Sequence, residues 1–258
     1  APVPPEVVEK IRGLLTEEPQ VCTPSGATER LPVAVIEGRE LQDTRAATEA
    51  GAGTCVGRPV APNQVRIIAI DDAPIAHWSA VVELPAGEVG EITVAGPTTT
   101  DSYFNREAAT IAAKIVEVRA DGGEQVVHRM GDVGYFDAEG RLWFCGRKTQ
   151  RVQAADRALY TEQVEPVFNA HPQVRRTALV GVGVPGAQRP VLCVELAAGV
   201  DAGQFQRIQG ELRTLAAAHA HTAPVATFLR HPGFPVDIRH NAKIGREKLA
   251  AWAGAALS

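Results

Sequence analysis

The sequence predicts an α/β protein in two parts, a β-rich first part over residues 1–148 and a small, compact α+β part over residues 149–258. Three observations carry this. Before Gly146 the chain is dominated by short runs rich in β-branched residues, punctuated by Gly, Pro and Asp as strands joined by turns should be. After Gly146-Arg-Lys-Thr-Gln-Arg151 helical and strand patterns alternate. In that second part Phe205, Ile208, Leu212 and Leu215 form one apolar stripe at helical spacing. At 258 residues and 45% hydrophobic, the chain is long enough to bury a core in each of two modest domains.

The elements follow in order. Val7, Val8, Ile11, Leu14 and Leu15 recur at helical spacing, with Pro4 and Pro5 where a helix N-terminus tolerates them. Strands are expected over 65–70, 89–95, 114–118 and 125–128. Asp137-Ala-Glu-Gly140 reads as the turn of a hairpin between Val133–Phe136 and Arg141–Cys145. Beyond the boundary near 147–150 come a helix near 161–170, strands near 177–184 and 190–197, and a helix near 202–220. A strand near 226–231 and a closing helix from about Arg246 complete the chain.

Composition removes several function classes. Lys+Arg number 26 against 30 Asp+Glu, a net charge of -4, and aromatic residues are 5% of the chain. A nucleic-acid binder needs a basic surplus and stacking platforms, so no nucleic-acid partner is expected. No apolar run reaches the roughly 20 residues of a transmembrane segment. Residues 1–5 carry no basic or apolar signal region, so the expectation is a chain without a signal peptide. Cys22, Cys55, Cys145 and Cys193 lie far apart with no paired-cysteine spacing, which points to a reducing, cytoplasmic setting.

Two motif matches are misleading. Gly181-Val-Gly-Val-Pro-Gly186 has the glycine spacing of a dinucleotide loop, but a strand rather than a helix follows it, so it reads as a strand connection. Gly146-Arg-Lys-Thr149 has neither the spacing nor the Gly-Lys step of a phosphate loop. His219 and His221, two apart, would diverge on a helix and read as surface histidines.

Four short segments carry chemistry. Ser25-Gly-Ala-Thr-Glu29 places a hydroxyl and a carboxylate after a glycine turn, suited to a phosphate oxygen and a divalent metal; alone, it reads as an ordinary polar loop. Gly90-Glu-Ile-Thr-Val-Ala-Gly-Pro97 leads to Tyr103. His128-Arg-Met-Gly-Asp132 puts an acid directly after a glycine at a strand end, where it can accept two hydrogen bonds from vicinal hydroxyls or simply shape a turn. Arg239-His-Asn-Ala-Lys243-Ile-Gly-Arg246 places a lysine in a loop before the last helix, solvated or available to a developing phosphate charge.

Read in order, these segments resemble the adenylate-forming superfamily of acyl-CoA synthetases, luciferases and adenylation domains, along essentially the whole chain. The resemblance implies the C-terminal part of an AMP-binding domain over 1–148 and a mobile α+β lid domain over 149–258. It implies nucleotide contacts at Ser25, Gly26, Ala27, Asp132 and Arg147, and a hinge at Thr149. It also implies a metal carboxylate at Glu29 and catalytic roles for Thr28 and Lys243, with ATP and Mg²⁺ as cofactors. Gly26–Gly38, Gly146–Val152 and Thr161–Pro166 are most similar to the β-lactone synthetases of bacterial olefin biosynthesis. That likeness implies ATP-dependent activation of a 3-hydroxy fatty acid, followed by closure to a lactone. The implied partners are a further N-terminal portion of the same enzyme and other olefin-pathway enzymes. The alternatives are an acyl-CoA or acyl-carrier ligase, or a non-catalytic fragment.

The departures from the family pattern are specific. Its Ser/Thr/Gly-rich phosphate loop is absent from these residues, so an incomplete enzyme is expected. Ser25 stands where the motif carries tyrosine. Arg157 stands where CoA-using members often carry glycine, and it is expected to crowd the path of a thiol acceptor.

Overall fold

The computed structural model describes residue 3, residues 5–15, 21–237 and 243–258. The chain divides into two compact units. One comprises residues up to Arg45 together with Thr54–Lys148, and the other comprises Thr149–Ser258 together with Ala46–Gly53.

The first unit opens with helix α1 (Pro5–Gly13). Of the apolar residues at helical spacing there, Val8 is fully buried while Val7, Ile11, Leu14 and Leu15 are exposed. Pro4, expected at the helix start, lies outside the described residues. Next come β1 (Cys22–Ala27), β2 (Arg30–Glu37), α2 (Gly38–Asp43) and α3 (Arg45–Glu49). They are followed by β3 (Thr54–Pro59), β4 (Gln64–Ile68), β5 (Gly90–Ala95), α4 (Glu107–Ala113) and β6 (Lys114–Val118). The long β7 (Glu124–Phe136) and β8 (Leu142–Arg147) form the hairpin, closed by Asp137–Gly140. The sheet runs β1-β2-β3-β8-β7-β5-β4, with β6 also on β7.

Alternation along the strands gives this sheet two apolar faces. Val33, Val56, Ile67, Ile92, Val94, Met130 and Leu142 pack on one, while Ile68, Ala95, Ile115 and Val127 pack with Ile75 on the other.

The second unit contains a short ribbon of β9 (Val152–Gln153) and β10 (Ala158–Leu159), helix α5 (Thr161–Asn169), and strands β11 (Val174–Val182) and β12 (Arg189–Leu196). Helix α6 (Phe205–Ala217), β13 (Thr227–Arg230) and α7 (Arg246–Leu257) complete it. The sheet order is β11-β12-β13, antiparallel then parallel. Leu179, Leu192 and Val194 point to α5 and α6, meeting Phe168, Ile208 and Leu212. Their neighbours Ala178, Val180, Val191 and Cys193 point the other way, to Leu249 and Ala253 of α7. A period of two in the strands thus meets the 3.6-residue stripe of the helices.

Two expectations need correction. Ser25–Ala27 lie on β1 rather than in a loop, because β1 and β2 pair right up to Ala27 and Arg30. Helix α6 ends at Ala217, short of 220, so His219 and His221 sit in turns beyond it. Their rings therefore approach to 5.4 Å instead of diverging. The Gly181–Gly186 segment connects antiparallel β11 and β12, as expected of a strand connection.

Candidate active site

In the first unit Glu29 feels the charges of His128 and Lys114, and its own charge reaches Asp132. Thr28 and Glu29 form the two-residue turn of the β1–β2 hairpin, with Ala27 opposite Arg30. A register shift between Ser25 and Ala27 sets three residues of β2, Leu31–Val33, bulging opposite Gly26 alone. A Cβ at Gly26 would fall 2.6 Å from the Arg30 carbonyl oxygen, so the turn needs glycine there.

Glu29 is gripped at two points. Its backbone carbonyl accepts the Thr100 N–H at 3.2 Å. Its Oε1 accepts the Tyr103 hydroxyl at 2.6 Å. Burial pushes the Glu29 carboxyl up, but the Tyr103 hydrogen bond and the nearby His128 and Lys114 outweigh it, and the group lies below its ordinary value. Burial, and then the bond to Glu29, push the Tyr103 phenol up to about 12, so it remains a donor at neutral pH.

Lys114 and His128 are cross-strand partners on β6 and β7 and are both buried. The Lys114 ammonium donates to the Thr100 carbonyl and, at 3.0 Å, to Thr100 Oγ1. It lies 5.6 Å from the centre of the Tyr103 ring. Burial, with Lys114 adding to it, pushes His128 down to about 4, so at neutral pH the imidazole is uncharged and Nδ1 faces the Ala113 carbonyl at 3.2 Å.

Asp132 is placed by a backbone irregularity. Thr93 of β5 faces Arg129 and Glu91 faces Val133, so three residues of β7 bulge opposite one of β5. Gly131, at φ 64°, supplies the left-handed turn inside that bulge. Asp132 is thereby directed across β7–β8 to its register partner Arg147, whose Nη1 lies 2.9 Å from Oδ1. The pair is close enough to attract but is not aligned as a hydrogen bond, and Oδ1 is buried without a donor. Burial drives the Asp132 carboxyl up to about 6; Arg147 pulls it down, and the charges of Glu91 and Glu29 push it further up. The 15% of the side chain that stays exposed lies outside Oδ1. An underbonded carboxylate beside a guanidinium has spare capacity to accept from hydroxyl donors.

Beside it, Arg129 and Glu91 form a buried pair with an Nη2–Oε2 distance of 2.7 Å, joined by Lys148 Nζ at 3.0 Å. Arg129 also donates to the carbonyls of Asp71 and Ala73, which ties that loop to the sheet. This cluster and the Lys114–His128 pair escaped the motif reading. A charge at a strand position otherwise taken by β-branched residues, as at Lys114 and Glu91, was the available signal.

No three His, Cys, Asp or Glu side chains converge as a metal cluster among the described residues. Glu29 is a single carboxylate, which suits Mg²⁺ held jointly by protein and nucleotide phosphates rather than an all-protein cage.

Thr149 and Lys243 belong to the second unit. Thr149 is exposed in a single 3₁₀ turn, Lys148–Gln150, immediately after β8. Lys243 is exposed at the base of its loop, which is closed by a bridge between Val236 and Ile244 and by the Asp237 N–H donating to the Lys243 carbonyl at 2.9 Å. Residues 239–242 of that motif lie outside the described residues. Three residues on, Arg246 forms a buried pair with Glu165 of α5, which also accepts the Leu179 N–H at 2.7 Å. Burial pushes Arg246 down, but Glu165 more than offsets this and holds it above its ordinary value. Arg157 pairs with its neighbour Asp156 at 2.9 Å and stays about half exposed.

No family model matches the chain. It is 74% identical over 253 residues to the olefin beta-lactone synthetase of Xanthomonas campestris pv. campestris, covering 98% of this chain and 46% of that protein. It is 70% identical over 257 residues to the olefin beta-lactone synthetase of Stenotrophomonas maltophilia, again covering 46% of it. The chain therefore spans about half the length of the curated relatives it matches. Among solved structures, a point variant of an amide bond synthetase from Marinactinospora thermotolerans superposes with a TM-score of 0.72 at 25% identity, covering 98% of this chain and 46% of that one. An o-succinylbenzoate coenzyme A synthetase from Bacillus subtilis, in complex with ATP and magnesium, gives 0.65 at 24%, covering 96% and 44%.

Proposed function

From a chain that aligns almost end to end with olefin β-lactone synthetases and has the fold of adenylate-forming enzymes, we propose that it is the C-terminal part of an enzyme that activates a 3-hydroxy fatty acid with ATP and closes it to a β-lactone. The observation that carries the nucleotide reading is Asp132, buried beside Arg147 with Oδ1 lacking a donor. The choice of lactone over thioester rests on the 74% and 70% identities.

The substrate carboxylate attacks the α-phosphorus of ATP, forming an acyl-adenylate and releasing pyrophosphate. The 3-hydroxyl oxygen then attacks the acyl carbon, loses its proton and expels AMP. Activation is required because hydroxide is far too poor a leaving group.

Asp132 and Arg147 hold the ribose. Ser25, Gly26 and Ala27 border the nucleotide from β1, and Thr28 donates to a phosphate oxygen. Glu29 holds Mg²⁺, which offsets phosphate charge. Lys243 sets its ammonium against the charge that develops between carboxylate and α-phosphate. Thr149 is the pivot on which residues 149–258 turn, as a lid on the AMP-binding domain of residues 1–148. The remaining phosphate contacts come from an N-terminal portion, as the length of the relatives suggests. The setting is the cytoplasm, alongside other olefin-pathway enzymes.

The test uses the full-length enzyme with ATP, Mg²⁺ and a 3-hydroxy fatty acid, with no CoA. The expected product is lighter than the acid by one water, with AMP released in equal amount. AMP release that requires CoA, and proceeds equally with an acid lacking the hydroxyl, would refute the lactone and indicate an acyl-CoA ligase.

A further inference from the structure

Tyr103, half-buried, and Lys114, buried, are polar groups to which the proposed reaction assigns no role. Tyr103 follows the β5 strand by eight residues, in the loop that leads to α4. That loop is fixed from three sides. The Tyr103 N–H donates to Thr110 Oγ1 of α4 at 3.0 Å. The Lys114 ammonium holds both the carbonyl and the hydroxyl of Thr100. The Thr100 N–H in turn holds the Glu29 carbonyl. Backbone and side chain of Glu29 are thus gripped by residues three apart on one anchored loop.

A glutamate at the tip of a two-residue turn would otherwise sample several rotamers, and each frozen torsion costs entropy when a ligand binds. A hydrogen bond that fixes the carboxylate plane beforehand removes part of that cost. We propose that Tyr103 is a positioning residue for Glu29, holding Oε1 so that the carboxylate is pre-oriented for a divalent cation, with Lys114 anchoring the loop that carries it. This rests on the reading of Glu29 as the metal carboxylate.

The experiment measures Mn²⁺ binding to the full-length enzyme by electron paramagnetic resonance, with α,β-methylene-ATP as the nucleotide, in parallel with the Mg²⁺ dependence of adenylation. Glu29→Gln is expected to weaken Mn²⁺ binding by about a hundredfold. Tyr103→Phe keeps the ring and its packing and is expected to weaken it by about tenfold, the share of a charge-assisted hydrogen bond. Its adenylation rate at saturating Mg²⁺ should stay within about twofold of the parent. Lys114→Met should weaken Mn²⁺ binding, and Lys114→Arg should restore much of it.

If Tyr103→Phe binds Mn²⁺ as the parent does while Glu29→Gln does not, the positioning role is wrong and the metal carboxylate stands. A lowered maximal rate with unchanged Mn²⁺ affinity also refutes positioning. If Glu29→Gln binds Mn²⁺ normally, the reading of Glu29 fails and the role of Tyr103 fails with it.

Discussion

Lowering the pH from 7 to 5 should weaken binding of a ribose-bearing ligand through Asp132 alone. The carboxyl titrates near 6 in this structure against an ordinary 3.8, chiefly because it is buried. The sign follows from the protonation states. In its proposed role ionised Asp132 accepts from both hydroxyls of a ribose, whereas the protonated acid gives up acceptor capacity, so affinity is full above about pH 7 and declines as pH falls through 6. With a midpoint near 6, the ionised fraction drops from about nine-tenths at pH 7 to about one-tenth at pH 5. That is roughly a tenfold loss, or about 1.4 kcal/mol. His128 titrates near 4 and stays neutral throughout, so it does not contribute. Adenosine is the appropriate probe because it has no phosphate to titrate in this range. Its affinity for the full-length enzyme, measured by calorimetry at several pH values, should follow the tenfold fall. Neither 2′,3′-dideoxyadenosine nor the Asp132→Asn variant should show it. An equal fall with the dideoxy compound, or a flat profile with adenosine, would refute the assignment of Asp132.

Lys243→Ala in the full-length enzyme should lower the adenylation rate about a hundredfold with little change in substrate affinity, since its charge matters as the transition state forms; single-turnover kinetics separates the two. Arg246→Met strands the Glu165 carboxylate in the core of the second unit and should cost about 3–5 kcal/mol in urea unfolding. Adding Glu165→Gln to that variant should recover part of the loss, because the uncompensated charge is gone. Gly57→Ala meets φ 84° and places a Cβ 1.9 Å from the Val35 carbonyl oxygen. The strained backbone alone should cost about 1–3 kcal/mol, visible as a lower melting temperature.

Local patterns determined much of this protein. The β7–β8 hairpin follows from two half-buried runs around an Asp-Ala-Glu-Gly turn, and α6 follows from the apolar stripe of Phe205, Ile208, Leu212 and Leu215. These are short-range signals, because a strand or helix displays its buried face with a period readable in a few residues. The chemistry-bearing residue types were likewise visible as motifs. Their arrangement was decided by tertiary contacts. Ser25–Ala27 became a strand only because β2 pairs with it, since Cys-Thr-Pro-Ser-Gly-Ala has no strong strand preference of its own. Segment Ala46–Gly53 joins the unit built from residues a hundred positions later, which no local window contains. The grip of Tyr103 on Glu29 spans 74 residues, and the burial that shifts Asp132 comes from strands that are distant in sequence. Burial and cross-strand register are properties of the packed sheet, and they set which polar groups are held, which are shifted and which are left open to a ligand.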